Sequence, residues 1–308
     1  MGPQGKDGFG SLTIETSSLP PIGEFDVLVK ICAVSLNFRD LMIAKGIYYW
    51  PIKDEVVPVP TQTHIAGTMT LQDAMNNLGG LMNGGLREYA AYNENGLVEI
   101  PASLSYREGA TLPCAALTAW NALYGAKPLR AGETVVTLGT GGVNMFAIQF
   151  ALASGAQVIA TTSSDKKGEV LKKLGVHHVI NYKKDINWGM TAKNLSLGGR
   201  GADYVLEISG PNTMEQSCNA AAIDGVVAII GTRGGNDGAP TLPHIALVTT
   251  RRIMIGSRLQ FEEMNRAIEV NKIKPVIDSK VFKFNEAREA FQYLWDQNAL
   301  GKVVIEID

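Results

Sequence analysis

Residues 134–138, Thr-Val-Val-Thr-Leu, run straight into Gly139-Thr140-Gly141-Gly142, and apolar residues then fall at Val143, Phe146, Ala147, Phe150 and Ala151. The first run reads as a buried strand. The second has the i, i+3, i+4, i+7, i+8 spacing of one helix face. A strand, a glycine turn and an immediate apolar helix form the arrangement that holds a diphosphate. Glycines let the backbone come close, and the helix start presents N–H groups and the positive end of its dipole. The glycine pattern alone is weak evidence, and its strand-turn-helix setting is what gives it force. Asn144 stands where a third glycine is usual, so close helix-to-strand packing is less secured there. An ordinary glycine turn in an α/β domain is the competing reading.

The surrounding sequence supplies the rest of such a domain. Strand patterns at 157–161, 178–181, 204–208 and 226–230 alternate with helical patterns at 188–195 and 213–222, and 253–257 reads as a sixth strand. Ser163-Ser164-Asp165 offers N-cap chemistry for a helix that turns Val170, Leu171 and Leu174 inward and stops at Gly175. Alternation of this kind requires parallel strands joined by crossover helices. An open, doubly wound sheet over 114–257 follows. The flanks differ: strands at 26–34, 86–92 and 96–100 lie among prolines, and a helix at 261–271, a strand at 281–284, a helix at 286–297 and a strand at 302–307 follow the sheet. Residues 1–113 and 258–308 therefore read as the two parts of one second domain, split by the nucleotide domain.

Composition narrows the function. With 308 residues, 45% hydrophobic, 19% charged and a net charge of −2, the chain reads as globular, and its scattered Lys and Arg leave no footprint for nucleic acid or a membrane surface. No apolar run is long enough to span a bilayer, and the first residues lack a signal-peptide pattern. Cys32, Cys114 and Cys218 lie far apart without Cys-x-x-Cys spacing, which argues for reduced thiols in a cytoplasmic protein and against a four-thiolate zinc.

Cofactor preference is read at the end of the second strand. A carboxylate there suits the ribose hydroxyls of NAD. This chain has Thr161-Thr162-Ser163-Ser164, with Asp165 just beyond and Lys166-Lys167 next. Hydroxyl and ammonium groups suit a 2′-phosphate, and NADPH is the expected cofactor. A capped helix carrying solvated lysines is the alternative.

Four segments in order resemble the medium-chain dehydrogenase/reductase superfamily, and most closely its zinc-independent quinone oxidoreductase-like, alcohol dehydrogenase-like reductases. They are Ser35-Leu36-Asn37-Phe38-Arg39-Asp40, the stretch from Ala110 to Trp120, Gly139-Thr140-Gly141-Gly142-Val143, and Gly301-Lys302-Val303-Val304. The likeness runs from about Gly8 to Ile307. It implies a Rossmann domain inserted in a GroES-like, β-rich catalytic domain, with the active site in the cleft between them. Metal-dependent members carry a cysteine where Asn37 stands, and a Gly-His-Glu ligand segment that this chain lacks; no metal is expected. By the same resemblance Asn37 faces the nicotinamide and polarises the substrate or its bound water, Thr118 touches the nicotinamide ring, and Gly141, Gly142 and Val143 lie along the diphosphate. Ser163, Lys167 and Tyr182 match the contacts to the 2′-phosphate. Tyr48 is either a hydrogen-bond or proton donor or an aromatic packing partner of Tyr49 and Trp50. Lys302 is either a cofactor contact or a solvated lysine.

One departure stands out. Val56-Val57-Pro58-Val59 leads in the family to a block rich in glycine and valine, but here Pro60-Thr61-Gln62-Thr63-His64-Ile65-Ala66 follows at once. The GroES-like domain is expected to be truncated near 58–66 by about two or three strands of five to six residues each. Two functions follow: an NADPH-dependent reductase of quinones, enones or similar small carbonyl compounds, or an NADPH-binding protein with impaired turnover, like the superfamily's lens crystallins or a truncated isoform. A homodimer is expected through the apolar edge strand at 253–257.

Overall fold

The computed structural model describes residues 8–48, 59–79, 82–231 and 247–307. Tyr49, Trp50 and the segment Val56-Val57-Pro58 lie outside them. The chain divides into two compact units, Met1–Leu117 with Ile255–Asp308, and Thr118–Met254.

The second unit is an α/β fold around a six-stranded parallel sheet. Its strands, labelled within this unit, are β1 (Thr134–Leu138), β2 (Gln157–Thr162), β3 (His178–Asn181), β4 (Ala202–Glu207), β5 (Ala221–Ile229) and β6 (Thr249–Arg252). Helices α1 (Gly142–Ala153), α2 (Asp165–Lys173), α3 (Trp188–Leu195) and α4 (Pro211–Ala220) connect the first five. The spatial order is β6-β5-β4-β1-β2-β3, with the reversal beside β1. That reversal is the switch point at which doubly wound sheets bind ligands, outside the carboxyl ends of the strands. β1 and β4 are buried along their whole length, as central parallel strands covered on both faces must be. Phe146 and Phe150 of α1 are fully buried, and burial of each such side chain contributes about 1.5–3 kcal/mol. Val136, Leu138, Ile159, Ile180, Trp188 and Val227 form the core of the face packed by α3 and α4.

The sixth strand lies at Thr249–Arg252, earlier than the apolar run 253–257 implied. Ile253 still donates its N–H to the Ile229 carbonyl at 2.9 Å. Ile255 then takes a left-handed φ of 48°, which ends extended pairing, and Ser257 caps the next helix. The sheet edge is thus Thr-Thr-Arg-Arg rather than apolar.

Among its described residues the other unit carries three small sheets. Asp26–Lys30 pairs antiparallel with Tyr89–Asn93. Val304–Glu306 lies between Phe282–Lys283 and Ala33–Ser35, antiparallel to the latter. Val59–Thr61 pairs with Asn77–Leu78. Phe9, Leu36, Leu41, Phe282, Phe291, Val303 and Ile305 form one core. The strand expected at 96–100 does not form. Its carbonyls and that of Asn95 bond to side chains instead, with Asn265 donating to Glu99 at 2.8 Å and Arg258 to Asn95 at 3.1 Å.

The segment around the sequence departure is stitched into this unit. Gln62 donates its N–H to Asn76, and the carbonyls of His64 and Ile65 accept from Arg258 and Leu259 at 2.9 and 3.0 Å. Those two bonds satisfy N–H groups at the start of the helix Arg258–Asn271. The unit nevertheless contains a cavity of about 320 Å³, lined by apolar groups that include Val29, Val34, Leu97, Leu112 and Phe261.

Candidate functional site

The glycine turn sits at the carboxyl end of β1, at the switch point. Gly139 has a φ of 89°, accessible at low cost only without a Cβ, and donates its N–H to Thr161 at 2.9 Å. Gly141 is different: its φ of −75° suits any residue, and a Cβ built on it meets nothing within 4 Å. Space therefore lies open in front of the α1 N-terminus, where first-turn N–H groups have no helical partner. Gly141 is exposed, and Gly142 and Val143 are half-buried. Asn144, the departure from the glycine pattern, is fully buried and donates from Nδ2 to the Leu138 carbonyl. Its carboxamide thus ties α1 to the end of β1.

One strand over, Thr162 is buried and its hydroxyl bonds the backbone of Ser164. Ser164 caps α2 by backbone geometry without its side chain. Ser163 and Lys167 are half-buried beside this turn, and Tyr182 is 40% exposed just past β3, its N–H donated to the Thr162 carbonyl at 3.0 Å. The register Leu138↔Thr161 and Thr162↔Asn181 places the ends of β1, β2 and β3 side by side. Gly141, Gly142, Val143, Ser163, Lys167 and Tyr182 are thereby brought to the same rim of the sheet. Asp165, first residue of α2, is turned to the β3 end, where it accepts from Lys184 Nζ at 2.6 Å and Asn181 Nδ2 at 2.7 Å.

A second group of polar residues lies in the other unit. Asn37 precedes the helix Phe38–Ala44 and donates its N–H to Asp40 Oδ2 at 2.8 Å. Its Nδ2 donates to the Ser35 carbonyl at 3.2 Å. Its Oδ1 accepts from Lys302 Nζ at 2.6 Å, and the same ammonium donates to the Leu36 carbonyl. Lys302 is buried, neither solvated nor at the surface. Burial pulls its pKa down to about 8, against the raising influence of Cys114 and Asp40. Burial likewise pushes the Asp40 carboxyl up to about 6, against the Asn37 N–H and the charge of Arg39. Burial also raises the Cys114 thiol. The sequence signal for Asp40 is the Asn-x-x-Asp spacing of a capped helix start, which marks a cap and not the buried cluster with Lys302.

Tyr48 is half-buried, with the Arg39 guanidinium 5.1 Å from its ring centroid. Thr118 is buried at the start of the helix Leu117–Tyr124. Among the described residues no group of three His, Cys, Asp or Glu side chains is placed to hold a metal ion. No helix of the described residues is long and apolar enough to cross a membrane.

Comparison with known proteins agrees with this layout. Residues 142–272 match the family model described as zinc-binding dehydrogenase. The chain is 39% identical, over 336 aligned positions, to a zinc-type alcohol dehydrogenase-like protein of Schizosaccharomyces pombe, covering 98% of this chain and 96% of that one. Among solved structures it is similar to an NAD-dependent alcohol dehydrogenase, at 26% identity and a TM-score of 0.87, covering 99% of this chain and 98% of that one. It is also similar to the quinone oxidoreductase of Thermus thermophilus, solved alone and with NADPH, at 26% identity and a TM-score of 0.76, covering 97% of both chains.

Proposed function

The chain belongs to the medium-chain dehydrogenase/reductase superfamily of oxidoreductases, and from that premise we propose that it transfers hydride from NADPH to a quinone, an enone or a similar small carbonyl compound without zinc. The observation that carries the cofactor part is the open space at Gly141, on the sheet rim where Ser163 and Tyr182 follow the neighbouring strand ends and Lys167 lies in the first turns of α2.

In this reading the N–H groups of Gly141, Gly142 and Val143 hold the diphosphate, and Ser163, Lys167 and Tyr182 hold the 2′-phosphate. Thr118 borders the nicotinamide. When bound, NADPH supplies the hydride. Asn37 donates from Nδ2 to the substrate oxygen as negative charge develops there, which is the role of an oxyanion-stabilising amide. Lys302 serves as a positioning residue that holds the Asn37 carboxamide, in place of the cofactor contact first expected. Tyr48 donates the proton. An amide at position 37 is a weak ligand for zinc, and this supports the metal-free reading.

A second reading is an NADPH-binding protein with impaired turnover. The alignment of 336 positions exceeds the 308 residues of this chain, so the S. pombe relative carries residues that have no counterpart here. Fluorescence titration with NADPH, followed by absorbance at the nicotinamide band on adding a panel of quinones and enones, separates the two. Oxidation of NADPH supports the reductase; tight binding without oxidation across the panel supports the second reading; absence of binding rejects both. Metal analysis of active protein tests zinc independence. The three cysteines are free, which fits a cytoplasmic setting. A homodimer stays part of this proposal although the edge of β6 is polar, and a monomeric mass in light scattering would remove it.

A further inference from the structure

The Asp165 carboxylate sits at the point where a dinucleotide-binding sheet chooses between a ribose hydroxyl and a 2′-phosphate. It follows Ser163 by two residues and lies in the first turn of α2. A carboxylate near the end of the second strand accepts hydrogen bonds from ribose hydroxyls and repels a phosphate. Left to itself, Asp165 would oppose the ligand that Ser163, Lys167 and Tyr182 are arranged to take.

The structure shows Asp165 engaged on both oxygens. Lys184 donates to Oδ2 at 2.6 Å and Asn181 donates to Oδ1 at 2.7 Å. The two donors flank Tyr182 on the loop that leaves β3. That loop is itself fixed: the Asn181 carboxamide oxygen accepts from the Lys183 N–H at 3.1 Å, and the Asn181 carbonyl accepts from the Lys184 N–H at 2.9 Å. Both partners of the ion pair are largely exposed, at 70% and 67% for the side chains. An exposed pair of this kind contributes little to folding stability. Its charge still acts on a phosphate within the screening length of about 8–10 Å. The same hydrogen bonds hold the carboxyl below its usual range, so Asp165 stays ionised and its charge must be offset rather than protonated away.

We propose that Lys184 is a specificity-determining residue for the cofactor: by clamping and offsetting Asp165 it makes room for a 2′-phosphorylated nicotinamide dinucleotide. This rests on the NADPH reading above. Without the clamp, the Asp165 carboxylate turns toward the ribose hydroxyls and favours NADH.

The test is a double-mutant cycle read by fluorescence titration of NADPH and NADH against wild type, Lys184→Gln, Asp165→Asn and the double variant. All substitutions are at the surface, and unchanged melting temperatures check that each protein folds. In Lys184→Gln the NADPH-over-NADH preference is expected to fall roughly fivefold or more, the scale of a single partly screened charge contact. Asp165→Asn in the same background is expected to restore it. A loss that persists in the double variant would mean that Lys184 binds the phosphate directly, and would overturn the clamp. An unchanged preference in Lys184→Gln would do the same. A wild-type chain with no preference for NADPH would instead overturn the cofactor reading, and this inference with it, before any variant is compared.

Discussion

Lys302 and Asn37 stand 265 residues apart in sequence and 2.6 Å apart in the structure, ammonium to carboxamide oxygen. The antiparallel register that sets Val304 opposite Ser35 carries Lys302 to the place opposite Asn37. An ammonium has three donors and no acceptor, so it fixes which end of the amide faces it. The Asn37 NH₂ group must then point the other way. That group donates to the Ser35 carbonyl and also hydrogen-bonds the Asp40 carboxyl.

Replacing Lys302 by Met keeps the volume and removes the donor. The Leu36 carbonyl and Asn37 Oδ1 then lose a buried partner, at a stability cost of about 1–3 kcal/mol. If Lys302 positions Asn37, kcat falls by roughly 10- to 100-fold while the Kd for NADPH is unchanged. Wild-type kcat should also decline as pH rises through about 8, where the ammonium deprotonates, and Lys302→Met should lose that limb. Asp40 and Cys114 are the titratable groups that act on it. Weaker NADPH binding with kcat intact would return Lys302 to the cofactor.

Asp40 makes a prediction about stability. Its folded pKa of about 6 lies above the usual 3.8, so between those values the folded chain binds more protons than the unfolded one. Stability from this group is full below 3.8 and is lost as pH rises through 6, by about 3 kcal/mol. Asp73 and Glu269 run the opposite way, because hydrogen bonds hold both at about 2. The difference between wild type and Asp40→Asn isolates the Asp40 contribution. Denaturant unfolding at pH 7 and pH 5 should show wild type gaining stability relative to Asp40→Asn at the lower pH. A constant difference would refute the assignment.

The parallel sheet was legible because its central strands carry short runs rich in β-branched and apolar residues between helix-period segments; 178–181 and 188–195 were located to the residue. The miss at 253–257 came from reading apolarity as pairing. Ile253 is buried, but the left-handed Ile255 and the cap at Ser257 break the strand, and neither is visible in hydrophobic pattern. The miss at 96–100 has the same root, since side chains of Gln62 and Asn265 take the carbonyls of Gly96 and Glu99 that a neighbouring strand would have bonded. For the site, spacing within one segment was readable, as at the glycine turn. Pairings across long separations were not. Lys302 with Asn37, and Lys184 with Asp165, depend on strand register and on loop direction, which single-sequence pattern does not encode.

Two glycines of one turn should behave oppositely. Gly139→Ala forces a Cβ into a φ of 89°, a strain of roughly 1–2 kcal/mol that shows as a lower melting temperature. Gly141→Ala meets no atom within 4 Å and has an ordinary φ of −75°, so the fold should be as stable as wild type within about 0.5 kcal/mol. Its Cβ stands in the space assigned to the diphosphate, and dinucleotide affinity should drop at least tenfold, about 1.4 kcal/mol. Calorimetric titration beside thermal unfolding gives both numbers. Unchanged affinity in Gly141→Ala would move the diphosphate elsewhere.

Lys167→Glu carries the last step, because it tests charge at the 2′-phosphate apart from the diphosphate. Lys167 is half-buried in the first turns of α2, on the same rim as Ser163 and Tyr182. A carboxylate there replaces an attraction by a repulsion for NADPH and leaves NADH, which has no phosphate at that position, nearly untouched. Two close charge contacts of about 1 kcal/mol each imply a loss of NADPH affinity on the order of 30-fold. The effect should shrink as salt is raised, since screening acts on a rim open to water. Equal losses for both dinucleotides would take Lys167 out of the site. They would leave Ser163 and Tyr182 as the remaining argument for the phosphate.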